Sequence, residues 1–310
     1  MDANVEEVLV TSEQMLRRGL KLVGVPAEVQ DRRTKKTNVR IFRSHFGPHP
    51  NHCASVWKQL LTTDIPDAKV LPSQVDLKAF FMALNHARVY LTDDQRNPQF
   101  DNVDFQKMAS DTWWWVQRIA ALRRQVIVFP TEDSWGDTVM ILSIDGTHMM
   151  IHEPRHEECR VDTTHFSHKH GTAGFNVQIA LKTYEPECVH VFVAKGGQND
   201  MGNLNASGVL DLIPEGKRIV CDGGYEVKDD RLHMLSGYNQ FDDDAVKEFK
   251  ARVKSRHEAF NAKLKVYEVL NKKFRHGVEK FEVYIYMVAV LVQFAITDPD
   301  PESVDVLFDV

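Results

Sequence analysis

Ile141-Leu142-Ser143-Ile144-Asp145-Gly146-Thr147-His148 is an apolar run that ends on a carboxylate, with a glycine and small polar residues directly behind it. Apolar runs bounded in this way predict buried strands. A carboxylate at the end of a buried strand is costly unless something answers it. Taken alone, its plainer reading is an Asp that opens a turn. A second stretch, Lys217-Arg218-Ile219-Val220-Cys221-Asp222-Gly223-Gly224-Tyr225, repeats the pattern. Two matched strand-end carboxylates, Asp145 and Asp222, call for one explanation.

The chain between them supplies a topology. Residues 152–172 are rich in His, Glu and Arg and predict a loop or insertion. From Gly174 to Tyr184, Phe175, Val177, Ile179 and Leu181 alternate with Asn176, Gln178 and Lys182, the pattern of a half-buried strand. Glu185-Pro186-Glu187 turns the chain into a strand over Cys188 to Ala194. Gly196 to Asp200 reads as a loop, and Asn203 to Ile213 as a short helix leading to the Asp222 strand. Turn-linked strands run antiparallel, whereas the crossover helix makes the fourth strand parallel to one of the others. If that neighbour is the first strand, Asp145 and Asp222 lie side by side at carboxyl ends, where α/β sheets form their sites.

Asp243 to Phe274 predicts one long helix with a break. One stripe, Val246, Phe249, Val253, Phe260 and Leu264, is a core face. Another, Ala251, Ser255, Glu258, Ala262, Val266 and Val269, sets a carboxylate among small residues. That stripe would let the helix approach the sheet and aim Glu258 inward; the alternative is a solvated Glu258 paired with Lys254 or Arg256. Val278 to Ile296 predicts an apolar helix buried against the body, too short and too flanked by charge to cross a bilayer. Residues 1–125 read as helical, with segments at Cys53–Leu61, Leu77–Tyr90 and Asp104–Leu122. They suit either a helix-turn-helix-like DNA-binding module or a plain bundle. In the run Trp113-Trp114-Trp115 successive side chains face different ways, which suits core packing better than a base-stacking platform.

At 310 residues the chain suits one large domain or two unequal ones, here a helical region over 1–125, an α/β domain over 126–297 and an acidic tail over 298–310. Cys53, Cys159, Cys188 and Cys221 form no C-x-x-C pair, so a cysteine zinc site or disulfide framework is not expected, and a reducing intracellular location is. The net charge of −6 argues against wholesale nucleic-acid coating, although carboxylates that hold cations would distort that count. The basic segment Arg32-Arg33-Thr34-Lys35-Lys36, with Arg40 and Arg43, reads as a DNA-backbone contact, a nuclear-import signal or a solvated surface.

Three carboxylates converging on one cleft suit hard divalent cations, which take oxygen ligands. Two such ions about 4 Å apart serve phosphodiester displacement. Glycines after both Asp residues would let a nucleic-acid backbone come close.

Asp145-Gly-Thr-His, Asp222-Gly-Gly-Tyr and Arg256-His257-Glu258-Ala259-Phe260-Asn261 resemble the three catalytic blocks of PIF/Harbinger-like DDE transposases. The 36 positions from Asp222 to Glu258 suit that family. Phe166-Ser167-His168-Lys169-His170, Gly174-Phe175-Asn176-Val177 and Lys273-Phe274-Arg275-His276 are similar to further family segments, and Phe46-Gly47-Pro48 with Cys53 to Trp57 is similar more loosely. The resemblance implies an RNase H-like mixed sheet flanked by helices and metal-dependent DNA cleavage and strand transfer. Carried over by residue, Asp145, Asp222 and Glu258 are the catalytic, metal-binding triad for two Mg²⁺ or Mn²⁺ ions. Asp200 resembles the family's loop Asp and is read as an auxiliary ligand or a surface residue, although the loop around it departs from the family pattern. The implied partners are DNA at transposon ends, a Myb-like DNA-binding protein and further copies of the chain, in the nucleus and without a membrane. His148, His168, His170 and His257 lie near the motifs, and Lys169, Arg252, Arg256, Lys263 and Lys265 are candidates for DNA phosphates or for plain solvation. Two other readings stay open: a transposon-derived DNA-binding or adaptor protein without cleavage activity, and a hydrolase of a small phosphoester.

Overall fold

The computed structural model describes residues 8–154, 162–222, 225, 231–234 and 243–298. The described chain divides into two units. One takes the chain up to Val126, with Leu264–Asn271 and the segment from Glu279; the other takes Ile127–Lys263 with Lys272–Val278.

The first unit is helical. α1 (Ser12–Leu22), α2 (Lys35–Phe46), α3 (Pro50–Thr62), α4 (Leu77–Val89) and α5 (Phe105–Ala121) begin on side-chain caps from Thr11, Thr34, His49, Asp76 and Asp104. Each cap answers a backbone N–H that the first turn leaves open. Phe42, Phe46, Trp57, Phe80, Phe81 and Trp115 fill the interior. Trp57 and Trp115 stack with ring centroids 5.4 Å apart, so this member of the Trp run is core, as its spacing predicts. α1 lies so close to α2 that a Cβ at Gly19 would fall 2.4 Å from the Phe42 ring.

The last helix of the chain belongs to this unit. It spans Val278–Thr297, and its Tyr284 hydroxyl and His86 Nδ1 share a 2.7 Å hydrogen bond. By length and hydropathy it could cross a bilayer, which corrects the expectation that it is too short. Phe281, Ile285, Met287, Val288 and Val290 are instead fully buried in protein.

The second unit holds a mixed sheet: β1 (Met140–Met150), β2 (Phe166–Ser167), β3 (Thr172–Lys182), β4 (Cys188–Lys195), β5 (Arg218–Cys221) and β6 (Leu232–Met234). The strand order is β2-β3-β1-β5-β6, with β4 also paired to β3. β1, β3 and β4 are antiparallel and β5 is parallel to β1, as the turn and crossover lengths require. β2 and β6 were not legible in the sequence; each is only two or three residues long.

Two expectations need correction. β1 does not end at Asp145 but runs on to Met150, paired with β3 throughout. What ends there is the parallel pairing with β5, whose last pair is Ile144 with Cys221. Asp145-Gly146 is therefore the point where β1 loses one neighbour, and no turn begins there. β3 is not half-buried either. Residues from Val177 to Leu181 are buried on both faces, because Gln178 and Ala180 are covered as fully as Ile179.

The two sheet faces have different covers. Leu142, Ile144, Ala180, Ile219 and Cys221 pack with Leu204, Val209, Leu210, Ile213 and Tyr225. Leu204 lies on α6 (Asp200–Ser207), which begins sooner than the sequence suggests because Asn199 caps it. The opposite face, carrying Ser143 and Asp145, meets α7 (Asp244–Lys265). α7 stops before Tyr267, and a short α8 (Glu268–Asn271) follows, so the predicted break is real. Phe274 then bridges to Ile151 beside β1.

Candidate functional site

Asp145 is half-buried on the β1 face that meets α7. Its Oδ1 accepts from the Gly146 amide at 2.8 Å, and its Oδ2 accepts from Asn261 Nδ2 on α7 at 3.4 Å. Burial pushes the carboxyl up from the usual range. The charges of Asp222 and Asp200 push it the same way, against the Gly146 amide and the Lys169 ammonium. A carboxylate kept partly dry among other carboxylates is the signature of clustered acids.

Asp222 follows the last residue of β5 and is exposed. Its field acts on Asp145 and also on Cys221, whose thiol burial pushes up to about 12. Tyr225 turns back beneath it, with its amide donating to the Asp222 carbonyl at 3.2 Å. The buried Tyr225 hydroxyl accepts from Gln178 Nε2 at 3.3 Å, which fixes this return to the centre of β3.

Asp200 opens α6. Its Oδ1 accepts from Asn176 Nδ2 at 3.0 Å, and Asp200 Oδ1 and Asn176 Oδ1 both crowd the place a Cβ at Gly146 would take. A Cβ there would lie 2.9 Å from Asn176 Oδ1 and 3.2 Å from Asp200 Oδ1. The glycine thus admits a third carboxylate to the neighbourhood of Asp145, and its role is not to turn the chain.

Glu258 stands apart. Its side chain is 66% exposed and its carboxylate lies 3.8 Å from Lys254. The stripe of Ala251, Ser255, Glu258 and Ala262 faces outward, contrary to the expectation that it meets the sheet. α7 instead buries Val253, Arg256, His257, Phe260 and Leu264. The reason is that polar residues lie on the inward face: His257 is fully buried and shares a 2.8 Å hydrogen bond with Ser143 Oγ. Burial pushes its imidazole down to about 4, so it is neutral at pH 7 and is a core histidine. Among the described residues no three His, Cys, Asp or Glu side chains are arranged to hold one ion. The structure brings Asp145 into the field of Asp222 and Asp200 and sets Asn261, one turn beyond Glu258, against Asp145.

On the α6 side, Gly146, His148, Lys169, His170, Asn176 and Asp200 help to line a cleft of about 250 Å³. His148 stacks on His170 at 4.5 Å, and its Nε2 and Thr172 Oγ1 share a 3.0 Å hydrogen bond. His168, Lys169 and His170 are exposed.

A family model for the DDE superfamily endonucleases matches residues 144–293. That span belongs to the DDE superfamily. The match begins one residue before Asp145 and takes in Asp222 and Glu258, and the mixed sheet flanked by helices is the RNase H-like arrangement of a DDE domain. Membership supports a nuclease- or transposase-type function, with DNA as the implied substrate and divalent metals in general use across the superfamily. No curated protein and no solved structure matches the chain.

Sequence reasoning passed over Asn261 and Asn176 as working parts, and gave Gly146 a role towards nucleic acid but not towards Asp200. Asn261 carried one signal, its place three residues beyond Glu258 on the same helix.

Proposed function

We propose that the chain is a PIF/Harbinger-like DDE enzyme that cleaves and transfers DNA strands with the help of two Mg²⁺ or Mn²⁺ ions. The observation that carries this reading is the action of Asp222 and Asp200 on the half-buried Asp145, at the point where the β1–β5 pairing ends. Oxygen-only donors that repel one another suit a hard cation. Asn261 Oδ1, buried with no partner among the described residues, offers a further oxygen beside Asp145. Asp145 and Asp222 would hold the metal with Asp200 as an auxiliary ligand, and Glu258, exposed on α7 beside Lys254, would have to turn inward to join them. When bound, such ions polarise the phosphate and ease deprotonation of the attacking hydroxyl. The chain's own residues do the positioning. Asn261 and the Gly146 amide fix the two oxygens of Asp145, Gly146 leaves room for a nucleic-acid backbone, and Lys169 brings positive charge to the rim. Water, then a DNA 3′-hydroxyl, attacks the phosphodiester in line. In the same reading the protein acts in the nucleus on transposon ends, with a Myb-like DNA-binding partner and other copies of itself. The exposed run Arg32, Arg33, Lys35 and Lys36 would serve import or backbone contact.

A second reading, a DNA-binding adaptor without cleavage activity, is favoured by the exposure of Glu258 and its place beside Lys254. Nicking of supercoiled plasmid in Mg²⁺ or Mn²⁺ decides between them. Wild type should nick, and Asp222→Ala should lose at least about 10²-fold, on the scale of removing one transition-state contact. Equal nicking by the two proteins sinks the catalytic assignment. DNA binding without nicking by either establishes the adaptor.

A further inference from the structure

On the flank of α7 away from Glu258, one buried hydroxyl and one guanidinium that faces a cleft have no hydrogen-bonded partner among the described residues. Arg256 is 6% exposed, and among the described residues no hydrogen bond or ion pair engages its guanidinium. Thr183, at the end of β3, is 2% exposed and its Oγ1 has no hydrogen-bond partner. Both line one cleft of about 150 Å³, together with Tyr184, Glu248 and Arg252. Glu248 does not answer Arg256. Its carboxylate is taken by Arg252 at 2.6 Å, in a solvent-exposed pair of little energetic weight.

Burial and the charge of Arg252 work against the Arg256 cation, and Tyr184 works for it to a smaller degree. A guanidinium nevertheless stays protonated in proteins. A buried charge without a counter-charge is costly, and such charges are retained where something pairs with them. The fork of an arginine matches the oxygens of a phosphate in a bidentate way, and a threonine hydroxyl donates one bond more. Tyr184 at the rim is 52% exposed, with the Phe249 ring 6.2 Å from its own. The cleft lies at the end of β3, four positions beyond Ile179, which pairs with Asp145, and it shares no lining residue with the cleft around Asp200.

We propose that Thr183, Arg252 and Arg256 form an anchoring site for one backbone phosphate of DNA, outside the catalytic cluster. That the phosphate is DNA's rests on the function proposed above; that the cleft takes an anion rests on the unanswered groups alone.

Fluorescence anisotropy with a labelled DNA duplex, in EDTA and over a potassium chloride series, tests the site apart from cleavage. Arg256→Met should weaken binding several-fold and make the slope of log K against log[salt] shallower by about 0.9, the loss of one phosphate contact. Its melting temperature should hold or rise, because the substitution removes an unanswered buried cation. Thr183→Val should weaken binding without changing the slope, and Arg256→Lys should keep most of the slope. The site is overturned if Arg256→Met binds DNA as wild type does, or if wild type binds no DNA. If Arg256→Met does not fold, Arg252→Gln and Thr183→Val decide, and unchanged affinity in both overturns the site. Nicking by the wild type with unaltered binding by the cleft variants removes this site and leaves the proposed function standing. Weakened binding by the cleft variants with no nicking does the reverse.

Discussion

His257 is the residue whose protonation the fold resists most plainly. Its imidazole is fully buried against Ser143, and its pKa of about 4 lies below the ordinary value of 6.5. Between those values the unfolded chain binds a proton that the folded chain refuses, so stability rises with pH across that interval. The contribution is complete above pH 6.5 and is lost as the pH falls towards 4. At about 1.4 kcal/mol per unit it amounts to about 3 kcal/mol. Urea melts between pH 4 and 7 should show this slope in the wild type and a flatter one in His257→Gln. Identical slopes would contradict the neutral, buried imidazole. At this scale the sequence was legible where chemistry repeats. Asp145 and Asp222 stood out because the same apolar run ends in Asp-Gly twice. Asn261, Asn176 and Arg256 did not, since an amide or an arginine acquires its role only from what lies opposite, and no spacing rule carries that information.

Among elements, the helices were read best. Asp76 and Asp104 accept from Ala79 and Lys107 as N-caps, and the predicted starts of those two helices fall within a residue of the observed ones. The same periodicity separates the three tryptophans of α5. Trp115 is 2% exposed and stacked on Trp57, whereas Trp114 sits beside Arg118 with the cation 4.6 Å from its ring centre. Trp115→Ala should therefore cost about 3–5 kcal/mol, the range for emptying an aromatic core site. Trp114→Ala should cost much less, and equal losses in urea denaturation would overturn the assignment of faces. α7 was read less well. Its small residues suggested close approach to the sheet, but the inward face is set by Val253, Phe260 and Leu264 together with the polar Arg256 and His257. Counting apolar residues alone passes over two of those five. β3 failed for a related reason. Its alternation is real, yet a cover on the second face buries the polar side of the pattern as well.

At the scale of the molecule, the two units do not follow the order of the chain. The unit of N-terminal helices is completed by the last helix, Val278–Thr297, whose Val288 is fully buried. Val288→Asp places an unpaired carboxylate in that interior and should cost several kcal/mol. The near-ultraviolet circular dichroism from Trp57 and Trp115 should then weaken, although both lie more than 150 positions earlier in sequence. A mutant with an unchanged aromatic signal would place that helix outside this core. The texture of the sequence changes from helices to strands near residue 126, and the first unit takes the chain up to Val126. Membership of the last helix was not legible, because an apolar helix announces that it is buried but not in which body.

The same arrangement sets an order in time. During synthesis the chain emerges from its beginning, and domains ordinarily fold as they appear. Here the helices before Val126 wait for Val278–Thr297 to be made, while every described strand of the sheet precedes residue 235. The sheet is thus complete in sequence before the helical unit that precedes it can close. The helices α1 to α5 therefore spend the longer time without their partner, and their apolar faces are open to a chaperone for that interval.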